Sequence, residues 1–217
     1  MPDQTQQFNI MKKAITLIVL FVSAVITAQG KFEEGMGKAF QLWKEGKTDE
    51  ASAMFERIAS AEKNSWLPNY YVALVNTTAS FASKDKTRVS ALLTKAQDAL
   101  DNELIKDPNN AELLVMQAMI HTGWIAFDPM TYGRTLSSKV MELYTKAQII
   151  APQNPRVVFC KAEFEIGGAR YFGTDTKAMC AQIDRAIELF ATFKPESPFH
   201  PNWGLDRALE AQKECNK

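Results

Sequence analysis

The sequence predicts an all-α protein built from antiparallel helix pairs, and three observations carry that prediction. The first is Leu42–Phe55 (LWKEGKTDEASAMF), in which Gly46 sits where a tight turn between helices needs a positive φ. Asp49 and Glu50 follow, where negative charge suits the free N–H groups of a new helix, and Ala51 and Phe55 lie one helical turn apart. The second is a pair of matching breaks, Asp107-Pro108-Asn109-Asn110 and Ala151-Pro152-Gln153-Asn154. In each, Pro ends one helix and Asn caps the next. The third is that apolar-periodic stretches fill the chain after residue 28, punctuated by Pro, Gly and Asn.

Taken in order, the chain opens on an export leader. Met11-Lys12-Lys13 is a short basic start, Ala14–Ile26 is apolar, and Thr27-Ala28-Gln29 supplies small residues for cleavage after Ala28. The apolar run falls short of the roughly 20 residues that span a bilayer. Residues Met1–Ile10 are polar and read as an upstream extension, with Met11 the natural start. The expectation is an exported protein, periplasmic or secreted, with residues 29–217 as one helical domain and no stable membrane insertion once the leader is removed.

The first helix pair runs from about Phe32 to Lys63, with Ala39 small in its first helix and Ala51, Phe55 and Ile58 in its second. The second begins near Trp66, with Ala73 small, and returns through Ala96 and Leu100 to Pro108. The third starts at Ala111, with Ala118 small, and returns through Tyr144 and Ala147 to Pro152. The fourth pairs Val157–Gly167 with Thr176–Phe193, and a capping helix from about Gly204 to Cys215 covers the exposed end. Ala126–Leu136 and Gly167–Asp175 read as long turns inside their hairpins, and Phe199 and Trp203 as anchors of the capping helix on the last hairpin.

These residues resemble the tetratricopeptide repeat (TPR), most closely in Leu42–Phe55 and at Pro108 and Pro152. The breaks are spaced roughly ten residues wider than the family period of about 34, and Gly35 stands where the pattern favours Trp. An irregular α-solenoid is the alternative. The resemblance implies a module that binds a protein or peptide partner in a concave groove lined by the first helices. The implied groove residues are Met36, Phe40, Trp43, Tyr70, Leu74, Met119 and Phe159. Two readings of them stand: an open groove, or a core covered by a terminal segment or loop. The slots lack the Lys and Asn with which some TPR domains clamp a terminal carboxylate.

Composition narrows the function further. Lys plus Arg and Asp plus Glu balance at 25 each, so nothing draws the chain to nucleic acid or anionic lipid. Only His121 and His200 are present, neither at a metal-ligand spacing, and the glycines of Gly167–Gly173 lack the strand and Lys-Ser/Thr of a phosphate loop. No catalytic, cofactor or metal residue is expected. An enzyme with its site around Asp128, Tyr132, Arg170 and Asp175 is one rival, and a structural component of an envelope assembly is another. Among three cysteines, counting outward from the turn at Pro195–Pro201 places Cys180 opposite Cys215. A disulfide there, with Cys160 free, is one reading; three reduced core thiols are the other.

Overall fold

The computed structural model describes residues 29–216, so the expected leader lies outside the described residues. The helices are α1 (residues 29–44), α2 (Thr48–Ala61), α3 (Leu67–Ala82), α4 (Lys86–Lys106), α5 (Ala111–Phe127), α6 (Pro129–Ile150), α7 (Pro155–Phe172), α8 (Lys177–Thr192) and α9 (Leu205–Cys215). No strand occurs among the described residues, and none of their helices is long and apolar enough to cross a membrane. Antiparallel pairs α3–α4, α5–α6 and α7–α8 stack in sequence behind α1–α2, whose helices meet through Phe40 and Phe55 with ring centroids 5.3 Å apart.

Local chemistry explains the boundaries. Gly46 has φ 77°, and its N–H donates to the Trp43 carbonyl while Lys47 N–H donates to that of Leu42, which satisfies the last acceptors of α1. Gly173 ends α7 the same way at φ 67°, with Thr174 N–H reaching the Ala169 carbonyl at 2.8 Å. At the two proline breaks, Asn110 Oδ1 accepts from the N–H groups of Glu112 and Leu113, and Asn154 Oδ1 from that of Arg156. A long cation then ties each hairpin to the break before it. Lys106 Nζ donates to the Lys63 carbonyl, Lys146 Nζ to that of Pro108, and Arg185 Nη2 to that of Pro152.

The core sits on α3 and α5. Helix α5 is apolar around its whole circumference and is covered by α3, α4, α6 and α7. Gly123 allows α4 its close approach, since a Cβ there would stand 2.7 Å from Leu93 Cδ2.

Two expected turns are helix instead. Only Asp128 separates α5 from α6, because an Asp cap followed by Pro at the first helical position starts a helix rather than interrupting one. Its carboxylate accepts from Thr131 N–H and Oγ1, which holds it below the ordinary carboxylate range. Likewise α7 runs through Gly167 and Gly168 to Phe172 before Gly173 turns the chain. The extra residues of these repeats lengthen helices.

Candidate functional site

The concave side, where the groove was expected, is occupied by the chain itself. Beyond α8, residues 193–204 run back across the first helices before α9 begins. Phe199 packs against Phe32 and Phe40 of α1, and its carbonyl accepts from Tyr71 Oη at 2.9 Å. Trp203 Nε1 donates to Tyr70 Oη at 2.8 Å, and His200 meets the Trp66 ring edge-on. Phe199 and Trp203 therefore anchor this strap on the first two hairpins, and not on the last one as expected. Their rings fill the space between inner helices that carry aromatic residues of their own.

The implied groove residues belong to the core or pack against it. Met36, Tyr70, Leu74, Met119 and Phe159 are buried, while Phe40 and Trp43 are half-buried against the same cluster. Burial, and then the charge of Glu112, push the Tyr70 phenol well above its ordinary value, so it stays protonated. Cys180 and Cys215 are joined, with Cα atoms 5.7 Å apart, which ties the end of α9 to the start of α8. Cys160 is a free, buried thiol that burial pushes up out of the reactive range.

Beneath the strap lies an ion pair that sequence reasoning missed. Arg156 is 0% exposed, and its Nε and Nη2 donate to the carboxylate of Glu112. Asn154 Nδ2 donates to the same carboxylate at 2.6 Å, His200 Nε2 stands 4.0 Å away, and the guanidinium lies over the Phe193 ring. Arg156 Nη1 is buried without a hydrogen-bond partner among the described residues. A signal did exist: Glu112 and Arg156 each stand two residues after a capping Asn, at equivalent positions of successive repeats. Stacking repeats brings equivalent positions together, and these two carry opposite charge.

What remains open is the far end of the array. Helices α3, α5 and α7 run parallel, so their C-termini share one end with the start of α6. There Met130 is 87% exposed, Tyr171 76% and Phe172 77%, with Phe81 also exposed on α3. Where α5 meets α6, the half-buried Trp124 ring packs on Tyr132 at 5.2 Å and on Phe127 at 6.1 Å. Three helix-interior glycines, Gly133 of α6 and Gly167 and Gly168 of α7, accompany these rings. A Cβ on any of them would meet nothing within 4 Å. Each costs its helix up to about 1 kcal/mol against Ala, and no internal packing accounts for it. Bare backbone beside exposed rings suits the close approach of a flat apolar body.

The other surfaces offer less. A cleft of about 640 Å³ between α2 and α4 is crossed by the Lys95–Glu56 ion pair. A cleft of about 700 Å³ beside α6 is lined by Met141, Ile149 and Ile150. The residues of the enzyme reading serve the fold or stand apart. Asp128 caps α6, Asp175 accepts from Lys177 N–H, Tyr132 packs on Trp124, and Arg170 is exposed. No metal-binding cluster occurs among the described residues.

No protein-family model matches the chain, and no curated protein matches it by sequence. Among solved structures it is similar to the HusA haemophore from Porphyromonas gingivalis, with TM-score 0.74 and 19% identity over 85% of this chain and 92% of that one. A thermophilic TPR protein from Thermus thermophilus aligns with TM-score 0.42 and 13% identity over 86% of this chain and 100% of that one. The likeness to the haemophore is one of fold: an all-α array of stacked helix pairs.

Proposed function

We propose that this protein is an exported, non-catalytic binding protein that takes a flat, largely apolar ligand of the haem class on the aromatic surface at the turn end of α5, α6 and α7. The observation that carries the reading is the concentration there of Met130, Tyr171 and Phe172, three large apolar side chains left almost fully in water. Exposing them is unfavourable unless a ligand covers them, at roughly 25 cal/mol per Å² of apolar area. The fold shared with a haemophore supports the ligand class, and the disulfide suits an exported chain.

Titration with haemin, followed by the Soret band and by quenching of tryptophan fluorescence, tests it. The wild type is expected to bind saturably. The Tyr171→Ala/Phe172→Ala variant loses two ring faces, each worth about 1–2 kcal/mol, so its affinity falls at least tenfold while its unfolding midpoint stays put. Absence of saturable binding, or equal binding by that variant, overturns the reading.

One observation favours a protein partner as the second reading. Ile149 is 78% exposed in the apolar cleft beside α6, on the convex side that the strap leaves free. That surface fits the apolar face of a partner helix.

A further inference from the structure

The arginines of the chain are unevenly committed. Arg57 donates to Met54 Sδ, Arg88 pairs with Asp49, Arg156 with Glu112 and Arg207 with Glu163, and Arg185 reaches the Pro152 carbonyl. The two that remain, Arg134 and Arg170, make no hydrogen bond or ion pair with any described residue. Both stand at the turn end. On α6, Met130, Gly133 and Arg134 fall at i, i+3 and i+4 and so share one helix face. On α7, Gly167, Arg170 and Tyr171 repeat that spacing. Helices α6 and α7 are antiparallel neighbours, and Arg134 and Tyr171 lie the same number of residues from the turn that joins them. Each helix therefore brings to this end one bare stretch of backbone, one exposed apolar side chain and one free guanidinium. The acids close by are engaged: Asp128 with Thr131, and Asp175 with the N–H of Lys177.

We propose that Arg134 and Arg170 are a pair of carboxylate-binding arms on the rim of the aromatic surface. They select a flat apolar ligand that carries two acid groups over its neutral counterpart. This rests on the binding reading above and adds the chemistry that orients the ligand. A guanidinium presents a planar fork of donors that a carboxylate matches bidentately. The apolar body then lies over Gly133 and Gly167, against Met130 and Tyr171, with its acid edge turned toward the two arginines.

Protoporphyrin IX and its dimethyl ester are the probes, since they share the ring and differ in that two carboxylates become neutral methyl esters. Binding of each to wild type, Arg134→Gln, Arg170→Gln and the double variant is measured by tryptophan quenching in low and high salt. The expected result is a preference of at least tenfold for the diacid in wild type, shrinking as salt rises. The double variant binds the diacid as weakly as the ester and holds the ester as wild type does. Equal binding of diacid and ester by wild type overturns the arms while leaving the aromatic site standing. Parallel loss of both probes in the double variant also overturns them, because the arginines would then be supporting the surface rather than the acid groups. Failure of wild type to bind either probe overturns both proposals together. Both arginines are exposed, and matching circular dichroism confirms that the variants fold.

Discussion

Glu112→Gln removes one charge from the most deeply buried ion pair of the array. Arg156 is 0% exposed, the Glu112 side chain is 4% exposed, and the guanidinium's donors to protein oxygen converge on that one carboxylate. Its Nη1 already lacks a partner among the described residues. With Gln in place, one acceptor oxygen remains for a cation that cannot lose its proton, and Asn154 competes for it. Breaking a buried pair from one side costs about 3–5 kcal/mol. That is a large fraction of the roughly 5–15 kcal/mol of a typical domain. Arg156→Met strands the carboxylate instead and costs a similar amount. The double variant buries no charge, so it should be more stable than the summed single losses imply by about 2 kcal/mol or more. Urea midpoints of the four proteins, read by far-ultraviolet dichroism, supply the cycle. Single losses under about 1 kcal/mol, or additivity within about 0.5 kcal/mol, would refute the reasoning. Either result would mean that water reaches this pair.

Two further outcomes follow from the covalent tie and from the half-buried histidine. Replacing Cys180 and Cys215 together by Ser releases a loop with a sequence separation of 35. On the chain-entropy model this costs about 3–4 kcal/mol; an unchanged unfolding midpoint would show that the tie adds nothing to the packing of α9. His121 is held below its ordinary 6.5 by burial and then by the nearby charge of Lys139. The unfolded chain therefore takes up its proton at higher pH than the folded one, so the histidine leaves stability intact above about pH 6.5 and withdraws it as pH falls below that. His121→Gln should lose less stability than wild type between pH 7.5 and 5.5, and identical slopes would show that this site plays no part.

Much of the fold was legible in the sequence because helix ends are local events. Gly46, Asn110 and Asn154 each close or open a helix with hydrogen bonds inside a few residues, and their neighbours give them away. The same locality misled at Asp128-Pro129, where a cap and a first helical position look like a turn until the flanking helices are seen to abut. It misled again at Gly167-Gly168, since glycine in an exposed helix is costly but permitted. Nothing local told where Phe199 and Trp203 would land. Their partners lie more than a hundred residues away, and any apolar face of the array would have satisfied their composition. Nor does a turn reading of Gly167–Asp175 assign Tyr171 and Phe172 to a helix face, which α7 does by running on to Phe172.

The strap decides which surface is left for function. In a stack of helix pairs the inner helices offer the largest apolar concavity, and a chain that left Met36, Tyr70 and Leu74 open would present a broad adhesive face. Here residues 193–204 cover them, with Tyr71 and Tyr70 bonded to the strap and the Glu112–Arg156 pair buried beneath it. The same segment then carries α9 to its disulfide with α8, so the cover is fastened at both ends. Apolar surface left exposed after such closure is harder to explain as spare core. Met130, Tyr171 and Phe172 stand near the ends of α6 and α7, beside glycines at which a Cβ would meet nothing within 4 Å. Met130 lies before the first buried residue of α6, Val140, and Tyr171 and Phe172 lie after the last buried residue of α7, Ala169. The candidate site therefore stands where these two helices extend past their packed stretches.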